Sequence, residues 1–229
     1  MSSSRLPGKV LKPLAGAPMI LRQIERVRRA TRIDRLVVAT SDRTSDDPLA
    51  AVLHEGGVEV FRGPLGDVLA RFLGALDAHP ADHVVRLTAD CPLADPDVID
   101  ATIARHLATG ADYTYNRLDP VGFPQGLDVE VITALALRRV GQDATTPDER
   151  EHVTWRVRQH PQDYRVAALS PAIDEREVRW TVDRPDDLEF VAAVYEALYG
   201  THPAFTSDDV RALLRGRPDL ARLGGARRL

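Results

Sequence analysis

Cysteine is nearly absent: the 229 residues contain one, Cys91. A single thiol excludes an internal disulfide framework and a multi-cysteine zinc site. No apolar run approaches the roughly 18 residues of a membrane helix. The N-terminus has no apolar stretch of signal-peptide type. An excess of one charge is also missing, since 30 Lys and Arg face 34 Asp and Glu for a net of -4. No global field draws in nucleic acid or an acidic membrane, so a polyanionic ligand has to be held by local charges. The P-loop spacing GxxxxGK[ST] does not occur, and there is no internal repeat or low-complexity linker. What remains reads as a cytoplasmic chain, 44% hydrophobic and 28% charged. Its length suits one globular domain with a substantial core and a small appendage.

What is present alternates. "APMILRQIERVRRAT" spaces Ile20, Ile24 and Val27 as a helix does, and "DRLVVAT" is a short apolar run typical of a strand buried on both faces. Helix 47–57, strand 58–61, helix 66–79 and strand 82–89 follow. The helix 95–110 has Asp95 as N-cap, Pro96 at its first position and Gly110 at its close. This alternation predicts a parallel sheet covered by helices on both faces. The second half is less regular. Strands are expected at 111–116, 126–132, 163–170 and 177–182, with helices at 133–142, 147–160 and 184–200. A capped segment starts near Thr206 and ends in a basic tail expected to fray.

Three clusters carry chemistry. The first is "SSSRLPGK", residues 2–9. Hydroxyls of Ser2, Ser3 and Ser4, free N–H groups near Gly8, the forked donors of Arg5 and the point charge of Lys9 suit a di- or triphosphate. The competing reading is a polar loop with solvated cations. The second is "RLTADCPLADPD", where a strand ends at Thr88 and Asp90 follows in a turn. Ligands of open parallel sheets bind beyond the carboxyl ends of the strands, so Asp90 stands where a metal-binding carboxylate is expected. A turn or capping role is the plain alternative. Cys91 reads as a packed side chain, not a nucleophile. The third is "RWTVDRPDDLEF", in which Asp183 also ends a strand, just before a helix opened by Pro185. Asp186 and Asp187 suit that helix's N-terminal dipole. Two strand-end aspartates and one cation-rich loop describe an oxygen-ligand site for Mg²⁺ bridging phosphate oxygens.

In order along the chain, "SSSRLPGKVLKPLAGAPMI", "VVATS", "VFRGPLGDVLARF", "VVRLTADCPLADPDVID", "FPQGLDVEV", "REHVT" and "WTVDRPDDLEF" resemble the cytidylyltransferases of the spore-coat-polysaccharide type. Those are relatives of the enzymes that make CMP-activated 3-deoxy-manno-octulosonate and CMP-sialic acid. The resemblance covers residues 1 to about 199. It implies a three-layer αβα Rossmann-like fold with a mixed, mostly parallel sheet. It divides the chain into a nucleotidyltransferase domain, 1–199, and a C-terminal extension, 200–229. The implied ligands are CTP and a small-molecule acceptor, a sugar acid or a phosphorylated or phosphonylated compound, with Mg²⁺ as cofactor and a homodimer as assembly. Nucleic acid and membrane are not implied partners. Arg5 and Lys9 resemble the triphosphate-binding residues, with Ser2, Ser3 and Ser4 at the hydroxyl positions, and Asp90 and Asp183 the paired Mg²⁺ ligands. Asp67, Arg62 and Arg71 fall where the base is read, and Arg86 faces the nucleotide. Gln125, Asp128, Glu130, Glu151 and His152 fall in the acceptor pocket. A strand's solvent face is the alternative for Asp128 and Glu130, and a helix surface for His152.

In the family a buried strand and a turn precede the methionine that matches Met1. An interior strand contributes several burials of about 1.5–3 kcal/mol each, comparable in sum to a domain's stability of about 5–15 kcal/mol. The expectation is therefore that the natural protein carries roughly ten further residues before Met1. A metal-dependent glycosyltransferase and a non-catalytic nucleotide-binding protein remain the other two readings of these motifs.

Overall fold

The computed structural model describes residues 5–118 and 121–229. Ser2, Ser3 and Ser4 therefore lie outside the described residues. A tight hairpin opens the fold, β1 (Pro13–Leu14) against β2 (Ala17–Pro18), turned by left-handed backbone at Ala15 and Gly16. Helix α1 (Met19–Val27) buries Met19, Ile20, Ile24 and Val27, as its spacing predicts. Then come β3 (Val37–Ser41), α2 (Asp47–Glu55), β4 (Glu59–Gly63), α3 (Val68–Ala78) and β5 (His83–Arg86). Helix α4 (Pro96–Thr109) has the expected ends. The Asp95 carboxylate accepts the Asp97 N–H at 2.9 Å, and Gly110 closes the helix in the left-handed region at φ 59°. The other oxygen of Asp95 accepts the Ser207 N–H at 2.6 Å, so one carboxylate caps α4 and anchors a distant helix.

The second half holds β6 (Tyr113–Tyr115), β7 (Glu130–Thr133), α5 (Ala134–Asp143), α6 (Pro147–Glu151), α7 (Trp155–Gln159), β8 (Val166–Ala168), α8 (Pro185–Leu198) and α9 (Ser207–Gly216). The helix expected over 147–160 is two helices. Thr146 and Glu149 cap α6 reciprocally, and the helical pattern breaks at residues 152–154 before α7 begins. Residues 177–182 form no ladder of their own. Beyond a turn at Glu177 they make one bridge among the described residues, Gln125 to Arg179.

The fold is α/β with mixed sheets. Strands β3 and β4 pair in parallel, as alternation predicts. The larger sheet runs β5-β7-β6-β8, with β7 antiparallel to both β5 and β6, and β6 parallel to β8. Antiparallel ladders therefore weigh more, among the described residues, than a mostly parallel sheet allows. The cause is local. The turn-rich stretch between β6 and β7 reverses the chain, and β7 returns between two strands that enter from the other direction. The first-half pattern contains no signal of that insertion.

One core cluster gathers Leu14, Met19, Leu93, Trp180, Phe190 and Phe205 between the hairpin, α8 and α9. A second packs α3 and α5 on the sheet through Leu69, Leu76, Tyr113, Leu137 and Val140. The basic tail is docked instead of frayed. The side chain of Arg228 is fully buried, and the Trp180 indole N–H donates to the Arg228 carbonyl at 2.8 Å. A buried indole donor requires a partner, and the tail's backbone supplies it.

Candidate active site

The cation loop reaches the site through one turn. Gly8 sits in the left-handed region at φ 66° and leads into a short 3₁₀ turn, Lys9–Leu11. The Lys9 ammonium then satisfies all three of its donors. It donates to the Asp90 carboxylate at 3.0 Å, the Asp183 carboxylate at 2.9 Å and the Val182 carbonyl at 2.7 Å. Arg5, more exposed, lies 3.2 Å from the other oxygen of Asp183. The carboxylates meet because their backbones are joined. The Val182 N–H donates to the Asp90 carbonyl at 2.8 Å, and the Thr181 hydroxyl donates to the same oxygen at 3.2 Å. Asp187, in the first turn of α8, accepts the N–H groups of Asp183 and Arg184 and fixes the bend that carries Asp183.

The electrostatics follow from this packing. Burial disfavours the Lys9 charge, but Asp90 and Asp183 outweigh it and raise the ammonium's pKa. Burial likewise works against the Asp183 charge, and hydrogen bonds from Lys9 and Arg179 overcome it, so its pKa falls below the usual carboxylate range. Burial, with the Asp90 charge adding to it, pushes the Cys91 thiol well up. Cys91 is accordingly a packed neutral thiol, as its sequence context suggests.

A cavity of about 240 Å³ opens beside Asp90. Arg86, Gln125, Asp128 and Glu130 line it, as does the residue pair Arg117 and Arg158. A larger recess of about 380 Å³ between α1 and the start of β3 contains Arg28, Asp34, Arg35 and Glu59, but neither Asp90 nor Asp183. Glu130 is almost wholly buried and saturated. It binds Arg86 at 2.5 Å, accepts the Tyr113 hydroxyl at 2.9 Å, and accepts the Thr154 hydroxyl as well. Asp128 accepts from the Tyr115 hydroxyl at 2.7 Å, from Arg117 at 3.1 Å and from the Gly126 N–H at 2.9 Å. Neither carboxylate is on a solvent face. Gln125 is bridged to Arg179, whose guanidinium donates to its side-chain oxygen at 3.2 Å.

Other sequence candidates sit elsewhere. Asp67 caps α3 by accepting the Ala70 N–H at 2.8 Å, with Arg150 at 3.6 Å. Arg62 donates to the carbonyls of Ser41 and Arg43 and pairs with Asp47 at 2.7 Å. Arg71 packs so closely on Gly63 that a Cβ there would lie 2.9 Å from its Cγ. Among the described residues none of the three pairs with Asp90 or Asp183. Glu151 and His152 end α6 and do not line the cavity, and the His152 ring lies 6.0 Å from that of Trp155.

The structure adds residues the motifs did not mark. Arg179 donates to Asp183 at 2.9 Å and to both oxygens of Asp187, and the two carboxylates hold its pKa above the ordinary arginine range. Arg158 lies over the rings of Tyr115 and Trp155, at 5.8 and 5.1 Å, and makes no ion pair among the described residues. Its Nε is buried without a hydrogen-bond partner. The spacing Arg179–Asp183 is visible in the sequence as an i, i+4 pair. For Arg158 the sequence shows only the i, i+3 spacing to Trp155 on the same helix; its second ring, Tyr115, lies on β6.

The carboxylate pair can be tested as a cation site on this geometry. Two oxygens from distant segments already converge on one ammonium. No cluster of three or more His, Cys, Asp or Glu suited to a metal occurs among the described residues. Two carboxylates alone suit Mg²⁺, which keeps water and takes its remaining ligands from substrate phosphates. The donor set fits.

The family model described as cytidylyltransferase matches residues 1–205, and the chain belongs to that family. It is 36% identical over 228 residues to the spore coat polysaccharide biosynthesis protein SpsF of Bacillus subtilis (strain 168), covering 96% of this chain and 93% of that protein. Among solved structures it is similar to a cytidylyltransferase from Leptospira borgpetersenii, with a TM-score of 0.91, 26% identity, and coverage of 96% of this chain and 92% of the other. A CMP:2-keto-3-deoxy-manno-octonic acid synthetase complexed with CTP shares the fold, with a TM-score of 0.61 at 17% identity over 85% of this chain and 94% of that one. Among the described residues no helix is long and apolar enough to cross a membrane.

Proposed function

We propose that this enzyme transfers a cytidylyl group from CTP, with Mg²⁺, to an anionic, hydroxylated small molecule in the cytoplasm, as a step toward a polysaccharide. The observation that carries the proposal is the convergence of Asp90, Asp183 and Lys9, from three distant segments, on one point beside a polar cavity. An acceptor oxygen attacks the α-phosphorus. The new P–O bond forms as the bond to the β-phosphate oxygen breaks, and pyrophosphate leaves with that electron pair. Asp90 and Asp183 would hold Mg²⁺, which when bound screens and polarises phosphate oxygens. Lys9 and Arg5 stand at the mouth of the same point and offset charge on the leaving pyrophosphate. Ser2, Ser3 and Ser4 complete this loop in the proposal. The protein does little covalent chemistry; positioning and charge stabilisation dominate.

The acceptor reading rests on Arg158 and Arg117. The Arg158 guanidinium, set over two aromatic rings and without an ion partner among the described residues, is suited to a carboxylate or phosphate, with Arg117, itself paired to Asp128, beside it, while Gln125 and Asp128 offer groups for hydroxyls. Arg62, Asp67 and Arg71 are proposed at the base, and Arg86, braced by Glu130, at the nucleotide. Glu151 and His152 are proposed near the acceptor entrance. The likeness to the CTP complex supports the finer fold reading, a three-layer αβα Rossmann-like arrangement. The proposal treats 1–199 as the transferase unit, 200–229 as an extension that closes it, and the assembly as a homodimer.

The test is pyrophosphate release from each of the four nucleoside triphosphates with a panel of sugar acids, sugar phosphates and phosphonates. CTP-dependent release with one acceptor supports the reading. Release of a nucleoside diphosphate or monophosphate from an added nucleotide sugar would favour glycosyl transfer, and CTP binding without turnover a binding protein.

A further inference from the structure

We propose that Arg228, in the C-terminal tail, is a positioning residue for the candidate metal ligand Asp183, acting through Asp187 and Arg179. This rests on the cytidylyltransfer reading of the site. Arg228 is fully buried, and its guanidinium lies 4.8 Å from the ring centre of Phe190. It pairs with Asp187 at 2.9 Å and with Asp186 at 3.6 Å, and donates to the Arg179 carbonyl at 2.8 Å. The preceding tail residue closes the grip, for the Arg179 N–H donates to the Arg227 carbonyl at 2.8 Å. Both backbone polar groups of Arg179 are therefore tied to the tail.

From Arg179 the connection runs outward. One Nη of Arg179 reaches Asp183 at 2.9 Å and Asp187 at 2.8 Å, while its Nε reaches the other Asp187 oxygen at 3.0 Å. Asp187, 1% exposed, is shared by two arginines and also accepts the Asp183 N–H at 2.9 Å. Its charge is thus compensated from behind by Arg228, which leaves Arg179 able to span both aspartates. Without Arg228, one buried carboxylate would draw Arg179 inward, the Arg179 carbonyl would lose its partner, and both the side chain and the backbone of Asp183 would lose their support. Outer groups that orient metal ligands typically govern affinity by about 10–100-fold.

The experiment uses the full chain, with Mn²⁺ as probe. Mn²⁺ binding is measured by the EPR signal of the free ion, with and without CTP, and CTP binding without metal is measured by calorimetry. The proteins are wild type, R228M, R228K, D187N, the double variant R228M/D187N, and R217A as a tail control. The expected result is Mn²⁺ binding weakened about tenfold or more in R228M, with metal-free CTP binding and R217A as in wild type. The double variant should bind no more weakly than D187N alone, because Arg228 acts through that carboxylate. If R228M does not fold, R228K carries the test: the guanidinium meets Asp187 and the Arg179 carbonyl from one Nη, Asp186 from the other and the Leu223 carbonyl from Nε, and the three donors of a shorter-reaching ammonium cannot hold all four, so metal affinity falls while the fold survives. Wild-type Mn²⁺ affinity in the Arg228 variants, or additive losses in the double variant, would overturn the inference alone. A wild type that binds CTP without any gain from Mn²⁺ would overturn the metal reading and the inference with it. A wild type that binds neither would overturn the proposed function itself.

Discussion

Replacing Lys9 with methionine removes the one group, among the described residues, that pairs with both Asp90 and Asp183. Unit charges about 3 Å apart attract by roughly 5 kcal/mol at an effective dielectric of 20, before desolvation is counted. Two such contacts are lost. Desolvation offsets much of this, and Arg5 and Arg179 still serve Asp183. The Asp90 and Asp183 side chains also keep 27% and 20% of their exposure. The expected cost is therefore about 3 kcal/mol, the low end for breaking a buried pair by removing one partner. For a chain of this size that lowers Tm by about 6–12 °C. The same geometry predicts a rescue. With the ammonium gone, a divalent cation can compensate the two carboxylates, so Mg²⁺ should raise the melting temperature of K9M more than that of wild type. Scanning calorimetry with and without millimolar Mg²⁺ reads both effects, and turnover should fall by about 10²–10³-fold. Equal Mg²⁺ shifts in the two proteins, or a K9M variant that melts like wild type, would refute a shared cation point between Asp90 and Asp183.

Three further outcomes follow from other parts of the site. R158Q should raise the acceptor KM by about tenfold or more, the scale of one charge-assisted hydrogen bond, while the CTP KM stays put. Steady-state kinetics separate the two. Gly126 has φ +106°, and a Cβ there would lie 2.7 Å from the Trp180 carbonyl carbon. G126A should therefore cost about 2–4 kcal/mol in denaturant titration and weaken acceptor binding, because Gln125 and Asp128 flank the strained turn. His106 is buried between His83 at 3.1 Å and Thr114 at 3.0 Å, with Asp112 nearby. Burial, and then the His83 charge, pull its pKa from 6.5 to about 4. The unfolded chain takes up this proton first, so stability falls as pH drops from about 6.5 toward 4. The loss is about 2 kcal/mol by pH 5. H106N should lack that component, and urea titrations of both proteins at pH 7 and pH 5 measure it.

Local chemistry carried much of this protein into its sequence. The spacing of Ile20, Ile24 and Val27 sets the buried face of α1, and Asp95, Pro96 and Gly110 set the limits of α4, because capping and φ preferences act within a few residues. The motifs around Lys9, Asp90 and Asp183 were equally legible, since each sets charged residues beside turn-forming glycine or proline. Their meeting was not. It depends on the Val182–Asp90 backbone bond, which joins segments about ninety residues apart and leaves no periodic trace. The antiparallel entry of β7, the saturation of Glu130, the open guanidinium of Arg158 and the burial of Arg228 behind Asp187 share that character. Periodicity reports which face of an element is apolar. It does not report which distant charge will compensate a buried carboxylate, because only the packed tertiary structure removes the water that would otherwise do so.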